Sequence, residues 1–181
     1  GLQWTVEPSA RLEINGRNLS APRILILDDG RCRLFCSQKG TGIISAVSDD
    51  GGLTFSSEPG IRVAANQRFD RITAFAPEIL RLPTGGYRMY YAGYGSAKRA
   101  DILTAMSDDG LTWQKASRPV LSPGTNPWDT VKCSEMCVIW QPGNPAGTEH
   151  FRMLYEACDG TAENQRGVWR IAIAVHDDSR S

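Results

Sequence analysis

One phrase is written into this chain three times. Ala21-Pro22-Arg23-Ile24-Leu25 returns 55 residues on as Ala76-Pro77-Glu78-Ile79-Leu80, and more weakly, a further 57 on, as Cys133-Ser134-Glu135-Met136-Cys137. Each copy leads into a strand-like run: Arg31 to Phe35, Tyr87 to Tyr91 and Phe151 to Tyr155. Each then reaches an Ala-x-x-Asp-Asp phrase that starts at Ala46, Ala105 or Ala174. A period of this length, with several strands per unit, marks a repeat architecture. The repeats run over about 16–60, 71–121 and 129–181.

The second unit reads most clearly. Ile79, Leu80 and Leu82 form a short apolar run. Pro83-Thr84-Gly85-Gly86 is turn chemistry, and Tyr87-Arg88-Met89-Tyr90-Tyr91 alternates with period 2, placing Tyr87, Met89 and Tyr91 on one face. Ile102 to Met106 and Leu111 to Trp113 supply two more strands around a Ser107-Asp108-Asp109-Gly110 turn. Helix periodicity and capping signals are nearly absent. The expected fold is therefore all-β: a β-propeller of four-stranded antiparallel blades, three blades per chain, with inner strands near 24–27, 79–82 and 136–139.

The two ends match each other. Gly1-Leu2-Gln3-Trp4 repeats the pattern of Gly110-Leu111-Thr112-Trp113, whereas the last repeat stops at Asp177-Asp178, before its fourth strand. Residues 1–12 thus read as an outer strand that completes another blade. Propellers usually have about four to eight blades, so the expectation is a homodimer by strand exchange that closes at six, with a piece of a longer propeller as the alternative.

Formal net charge is zero, from 20 Lys and Arg against 20 Asp and Glu, and no apolar run is long enough to span a bilayer. Nucleic-acid and membrane partners are therefore not expected. The N-terminus carries neither an initiator Met nor a signal-peptide pattern, and no compartment is assigned. Cys32 and Cys36, like Cys133 and Cys137, lie four apart in strand-like segments, too far for a disulfide or shared metal. They read as buried core thiols, Cys36 in register with Tyr91 and Cys137 with Leu80. Neither His150 nor His176 belongs to a legible metal cluster, and no cofactor is expected.

Ser48-Asp49-Asp50-Gly51-Gly52-Leu53-Thr54-Phe55 and the shorter Ser107 to Trp113 resemble the Asp box (BNR repeat) of sialidases, where the run of Asp residues is a structural turn on the blade periphery. Together with Trp128-Asp129, Ala76-Pro77-Glu78 and Tyr87 to Gly93, these phrases resemble the glycoside hydrolase propellers: arabinanases, β-xylosidases, fructosidases and mannoside phosphorylases. The resemblance covers nearly the whole chain, mainly through blade-scaffold phrases. It implies a glycosidase acting on a saccharide through inner-strand carboxylates. Glu78 and Glu135 are then candidate general acids, and Asp70 and Asp129 candidate bases or orienting groups. Arg23, Arg71, Tyr94 and Trp128 are candidate substrate contacts, with Trp140 a further stacking face. Arg23, Glu78 and Glu135 share a register position and are expected to face one channel; Asn15 stands where the second repeat has Asp70. A sialidase would need three arginines around a carboxylate, whereas Arg23 alone starts an inner strand, with Arg17 and Arg71 nearby. The alternatives are a lectin-like glycan- or protein-binding propeller without turnover, and an inactive truncated one.

Overall fold

The computed structural model describes residues 3–14, 16–124, 126–141, 150–160 and 167–177, and among them there is no helix. Twelve strands make three blades. Blade 1 is β1 (Leu19–Ile26), β2 (Cys32–Gln38), β3 (Gly42–Ser48) and the short outer strands β4 (Ser56–Ser57) and β5 (Val63–Ala64). Blade 2 is β6 (Thr73–Arg81), β7 (Tyr87–Ser96), β8 (Arg99–Ser107) and β9 (Gln114–Lys115). Blade 3 is β10 (Lys132–Gln141), β11 (His150–Cys158) and β12 (Trp169–Asp177). Ladders within each blade are antiparallel, as in a meander. The inner strands β1, β6 and β10 pack side by side, β6 between the other two. This is the all-β, three-blade propeller unit expected from the repeat.

Alternation builds the cores. On β7, Met89 and Tyr91 point into a cluster with Phe35, Ile43, Val63, Ala74, Leu103 and Ala105, between blades 1 and 2. Tyr90 and Ala92 point the other way, into a cluster with Ile102, Cys133, Met136, Val138, Met153 and Tyr155, between blades 2 and 3. A strand covered on both faces needs no polar side, so the period-2 pattern of β7 is aromatic and apolar on both.

Each inner strand carries a bulge near its start. Ala21 and Ala76 hold φ values of 51° and 50°, each just before a proline. A non-glycine residue in that region costs about 1–3 kcal/mol. Proline cannot donate to a ladder, so it is accommodated where pairing is broken. The Ala76 amide donates instead to Ser37 Oγ at 3.1 Å, which ties blade 2 to blade 1. Gly42 (φ 130°) is equally constrained, since a Cβ there would stand 2.1 Å from the Val63 carbonyl oxygen.

The Ser-Asp turns are locally saturated. Asp50 Oδ1 accepts the Leu53 and Thr54 amides at 3.0 and 2.9 Å, and Asp109 Oδ1 accepts the Leu111 and Thr112 amides at 2.7 Å each. The Thr54 hydroxyl, which donates to Asp50 Oδ2 at 2.6 Å, and the Thr54 amide hold the Asp50 carboxyl below its ordinary range, and the Thr112 and Leu111 amides do the same for Asp109. Arg33 crosses the blade boundary from here, bridging Glu58 at 2.9 Å and the Asp109 carbonyl at 3.1 Å.

Among residues 3–14 there is no strand, and Trp4 and Val6 are 92% and 95% exposed. On the far flank, alternate residues of β12 (Ile171, Ile173 and Val175) are also bare. The exchange expected of residues 2–6 is onto this sheet of a partner chain. Residues 1, 2, 15 and 178 lie outside the described residues, and with them Asn15.

The turns make a stability prediction. Hydrogen bonds hold the Asp109 carboxyl at about 2 against an ordinary 3.8. A depressed carboxyl stabilises the fold above its unfolded value and loses that contribution as pH falls through the folded one. Urea midpoints of the wild type should therefore fall between pH 3.8 and about 2, and those of Asp109→Asn should fall less steeply over the same range.

Candidate functional site

The loops entering β6 and β10 are built on two buried carboxylates. Asp70 is 0% exposed; it accepts the Gln67 amide at 2.8 Å, the Tyr91 hydroxyl at 3.1 Å and Lys115 Nζ at 2.7 Å. Asp129 is 1% exposed and accepts the Asn126 amide at 2.8 Å and the Tyr155 hydroxyl at 3.1 Å. Burial alone would raise the Asp129 carboxyl, but the bonds from Asn126 and Tyr155 outweigh it and hold it down. Burial, together with the Asp129 bond, pushes the Tyr155 hydroxyl up to about 12. These carboxylates fasten the connecting loops to the middle of the next blade.

These anchors also fix the register of the repeats. Asp70 to Asp129 is a shift of 59 residues, and the ladders keep it. Glu78 pairs with Tyr90, one residue before the anchoring Tyr91; Cys137 pairs with Leu154, one before Tyr155. Cys137, not Glu135, therefore takes the place of Glu78. Glu135 is the bulge residue, level with Ala76 and Ala21. Two expectations change with this: Glu135 does not share the position of Arg23 and Glu78, and Cys137 is an exposed thiol rather than a core one.

Two constellations result. In the first, Arg23 Nε donates to Glu78 Oε2 at 2.8 Å, and both line a groove of about 360 Å³ with Ile24, Ile79 and Cys137 between the inner strands. The second lies at the start of β10. Glu135 accepts a short hydrogen bond from Ser134 Oγ, which also contacts Tyr94 Oη at 2.8 Å. Glu156 stands on β11 opposite Ser134, the residue before Glu135. Burial first, then the Glu135 charge, pushes the Glu156 carboxyl above its ordinary value. Lys132 Nζ lies 6.0 Å from the Tyr94 ring centroid. Two part-buried carboxyls thus lie beside a hydroxyl cluster.

The remaining candidates are scattered. Arg71 Nε donates to the Gly95 carbonyl at 2.6 Å. Trp128, 40% exposed, lines a groove of about 360 Å³ on the outer flank with Tyr155, Ile171 and Ile173. Trp140 is exposed to the same degree. Sequence reasoning missed Glu156. Its signal was the contrast between repeats, because the matching ladder places hold Ser37 and Ala92.

No family model matches the chain, and no curated protein does. Solved structures do resemble it. One is an N-acetylgalactosamine deacetylase from F. plautii, solved with blood group B trisaccharide: TM-score 0.69, 20% identity, 88% of this chain and 50% of that one. Another is a family 117 glycoside hydrolase of the marine bacterium Zobellia galactanivorans, with TM-score 0.72, 17% identity, and 92% and 56% coverage. A thermostable family-43 glycoside hydrolase gives 0.67, 16%, 91% and 56%. The fold is that of the glycoside hydrolase propellers, and the chain spans about half the length of these structures.

The anchor geometry makes its own prediction. Lys115→Met leaves the Asp70 charge buried without its cation, which should cost about 3–5 kcal/mol. Tyr155→Phe removes one donor from Asp129 and should cost about 1–3 kcal/mol. Urea denaturation measures both, and losses below about half a kcal/mol in both variants would overturn the anchoring role.

Proposed function

We propose that this chain is half of a carbohydrate-active propeller in which the Glu135–Glu156 pair supplies a proton to a glycosidic oxygen. The observations that support this are two neighbouring part-buried carboxyls, one pushed upward by burial and by the other's charge, and an acid at the bulge place where blades 1 and 2 hold alanine. A raised carboxyl stays protonated at higher pH, as a general acid requires. Hydrolysis also needs a second carboxylate about 5–9.5 Å away, as nucleophile or base. Glu78, held by Arg23, is the candidate on this half, and Arg23, Tyr94 and Trp128 are candidate substrate contacts. A screen of chromogenic glycosides tests the reading. Glu135→Gln and Glu156→Gln should each lower turnover by about 10²–10⁴-fold without loss of folding. Wild-type activity should fall as rising pH deprotonates Glu156.

A second reading, saccharide binding without turnover, is favoured by a specific observation. Two of the three equivalent bulge positions are Ala21 and Ala76, which carry no reactive group. Saccharide binding by a wild type that cleaves no glycoside would select it.

We also propose that two copies complete the ring. The exposed Ile171, Ile173 and Val175 edge and the unpaired residues 3–6 are complementary in chemistry and would cover each other. Light scattering should show a dimer; a monodisperse monomer at micromolar concentration would exclude it.

A further inference from the structure

The hydroxyl cluster at the start of β10 has a direction. Ser134 is 0% exposed, and its Oγ meets two groups. It donates a short hydrogen bond to Glu135 Oε2 and lies 2.8 Å from Tyr94 Oη. A hydroxyl carries one hydrogen. If Ser134 gives its hydrogen to Glu135, Tyr94 must donate to Ser134, and both hydrogens have acceptors. Run the other way, from a protonated Glu135 through Ser134, the chain would end on a Tyr94 hydrogen with no acceptor among the described residues. An unmet donor in a part-buried place is costly, so the geometry favours the first direction. Burial pushes the Tyr94 hydroxyl up, which keeps its hydrogen available to donate.

This chain of hydroxyls ends on one carboxyl of a neighbouring two. Accepting a hydrogen bond favours the ionised form of a carboxyl. Glu156, opposite Ser134 on β11, is under the contrary influence: burial first, then the Glu135 charge, pushes it up. The other ionisable groups on the packed strands are engaged elsewhere. Lys132 on β10 lies over two rings, 6.0 Å from the Tyr94 centroid and 5.5 Å from that of Trp169. Arg170 on β12 pairs with Asp159 at 2.7 Å, Arg99 on β8 with Asp101 at 2.9 Å, and Glu78 on β6 with Arg23 at 2.8 Å. Asp129 takes the Tyr155 hydroxyl at 3.1 Å, and Cys133 and Cys158 are buried thiols. Among the described residues, none of these cations forms a salt bridge with Glu135 or Glu156.

We infer that Ser134, backed by Tyr94, is a positioning residue whose hydrogen keeps Glu135 ionised, so that a single proton held by the two carboxyls rests on Glu156. The two glutamates then have separate tasks. Glu156 is the group that gives up a proton, and Glu135 is the charge that retains the proton there until it is given up. This deepens the acid role proposed above and rests on it for its purpose, although its measurement needs no substrate.

Carbon-13 NMR of the glutamate carboxyls, recorded over a pH titration of the whole chain without substrate, tests it. Glu135→Gln and Glu156→Gln assign the two signals. In the wild type, the proton taken up at the higher-pH step should appear on Glu156, with a preference over Glu135 of at least about tenfold. Ser134→Ala removes the hydrogen given to Glu135 and should lower that preference about tenfold or more, dividing the step between the two carbons. Tyr94→Phe keeps the ring and should shift the division the same way to a smaller extent. It takes the place of Ser134→Ala if that variant does not fold. First uptake on Glu135, equal uptake on both in the wild type, or an unchanged division in the folded variant would overturn the inference. A chain that cleaves no glycoside would strike the acid role alone, because the division of the proton is read without turnover.

Discussion

A buried aspartate hydrogen-bonded to a tyrosine holds this architecture in register. Asp70 with Tyr91, and Asp129 with Tyr155, join each incoming loop to the second strand of the blade it enters. Each tyrosine stands opposite the bulge of its inner strand. One interaction thereby sets three things: where the loop ends, where the bulge falls and which side chains follow it. Low local dielectric strengthens a satisfied pair and makes an unsatisfied one costly.

The part-buried carboxylates of the inner and second strands are unevenly distributed. Blade 2 contributes Glu78, already held by Arg23. Blade 3 contributes Glu135 and Glu156, the latter with its carboxyl pushed up by burial and by the Glu135 charge. At the same ladder levels the other blades have Ala21, Ala76, Ser37 and Ala92. A repeat fold lets one blade diverge because the others maintain the geometry, so divergence among equivalent places points to function more directly than any one residue does.

The fold was largely legible in the sequence, because period-2 alternation, turn residues and a recurring phrase all point the same way. The site was less so, for an identifiable reason. Matching Glu135 to Glu78 slips the third repeat by two residues. A slip of one would have turned every side chain to the wrong face, but a slip of two leaves the alternation intact, so the hydrophobic pattern raised no objection. The pairing of Phe69-Asp70 with Trp128-Asp129 already contained the correct spacing. Glu156 escaped notice because it ends a second strand, away from the inner strands where function was sought. Burial of Asp70 and Asp129 is a tertiary fact that no local pattern encodes.

The two-faced strand β7 has a consequence for how the chain responds to change. Met89 and Tyr90 are sequence neighbours, yet one belongs to the seam with blade 1 and the other to the seam with blade 3. Energetically they are distant, whereas Tyr91 and Phe35, far apart in sequence, share a cluster. Perturbations therefore spread between facing blades rather than along the strand, as in a linear lattice with nearest-neighbour coupling. Blade 2, the only one held on both sides here, is the segment whose loss would disconnect the other two.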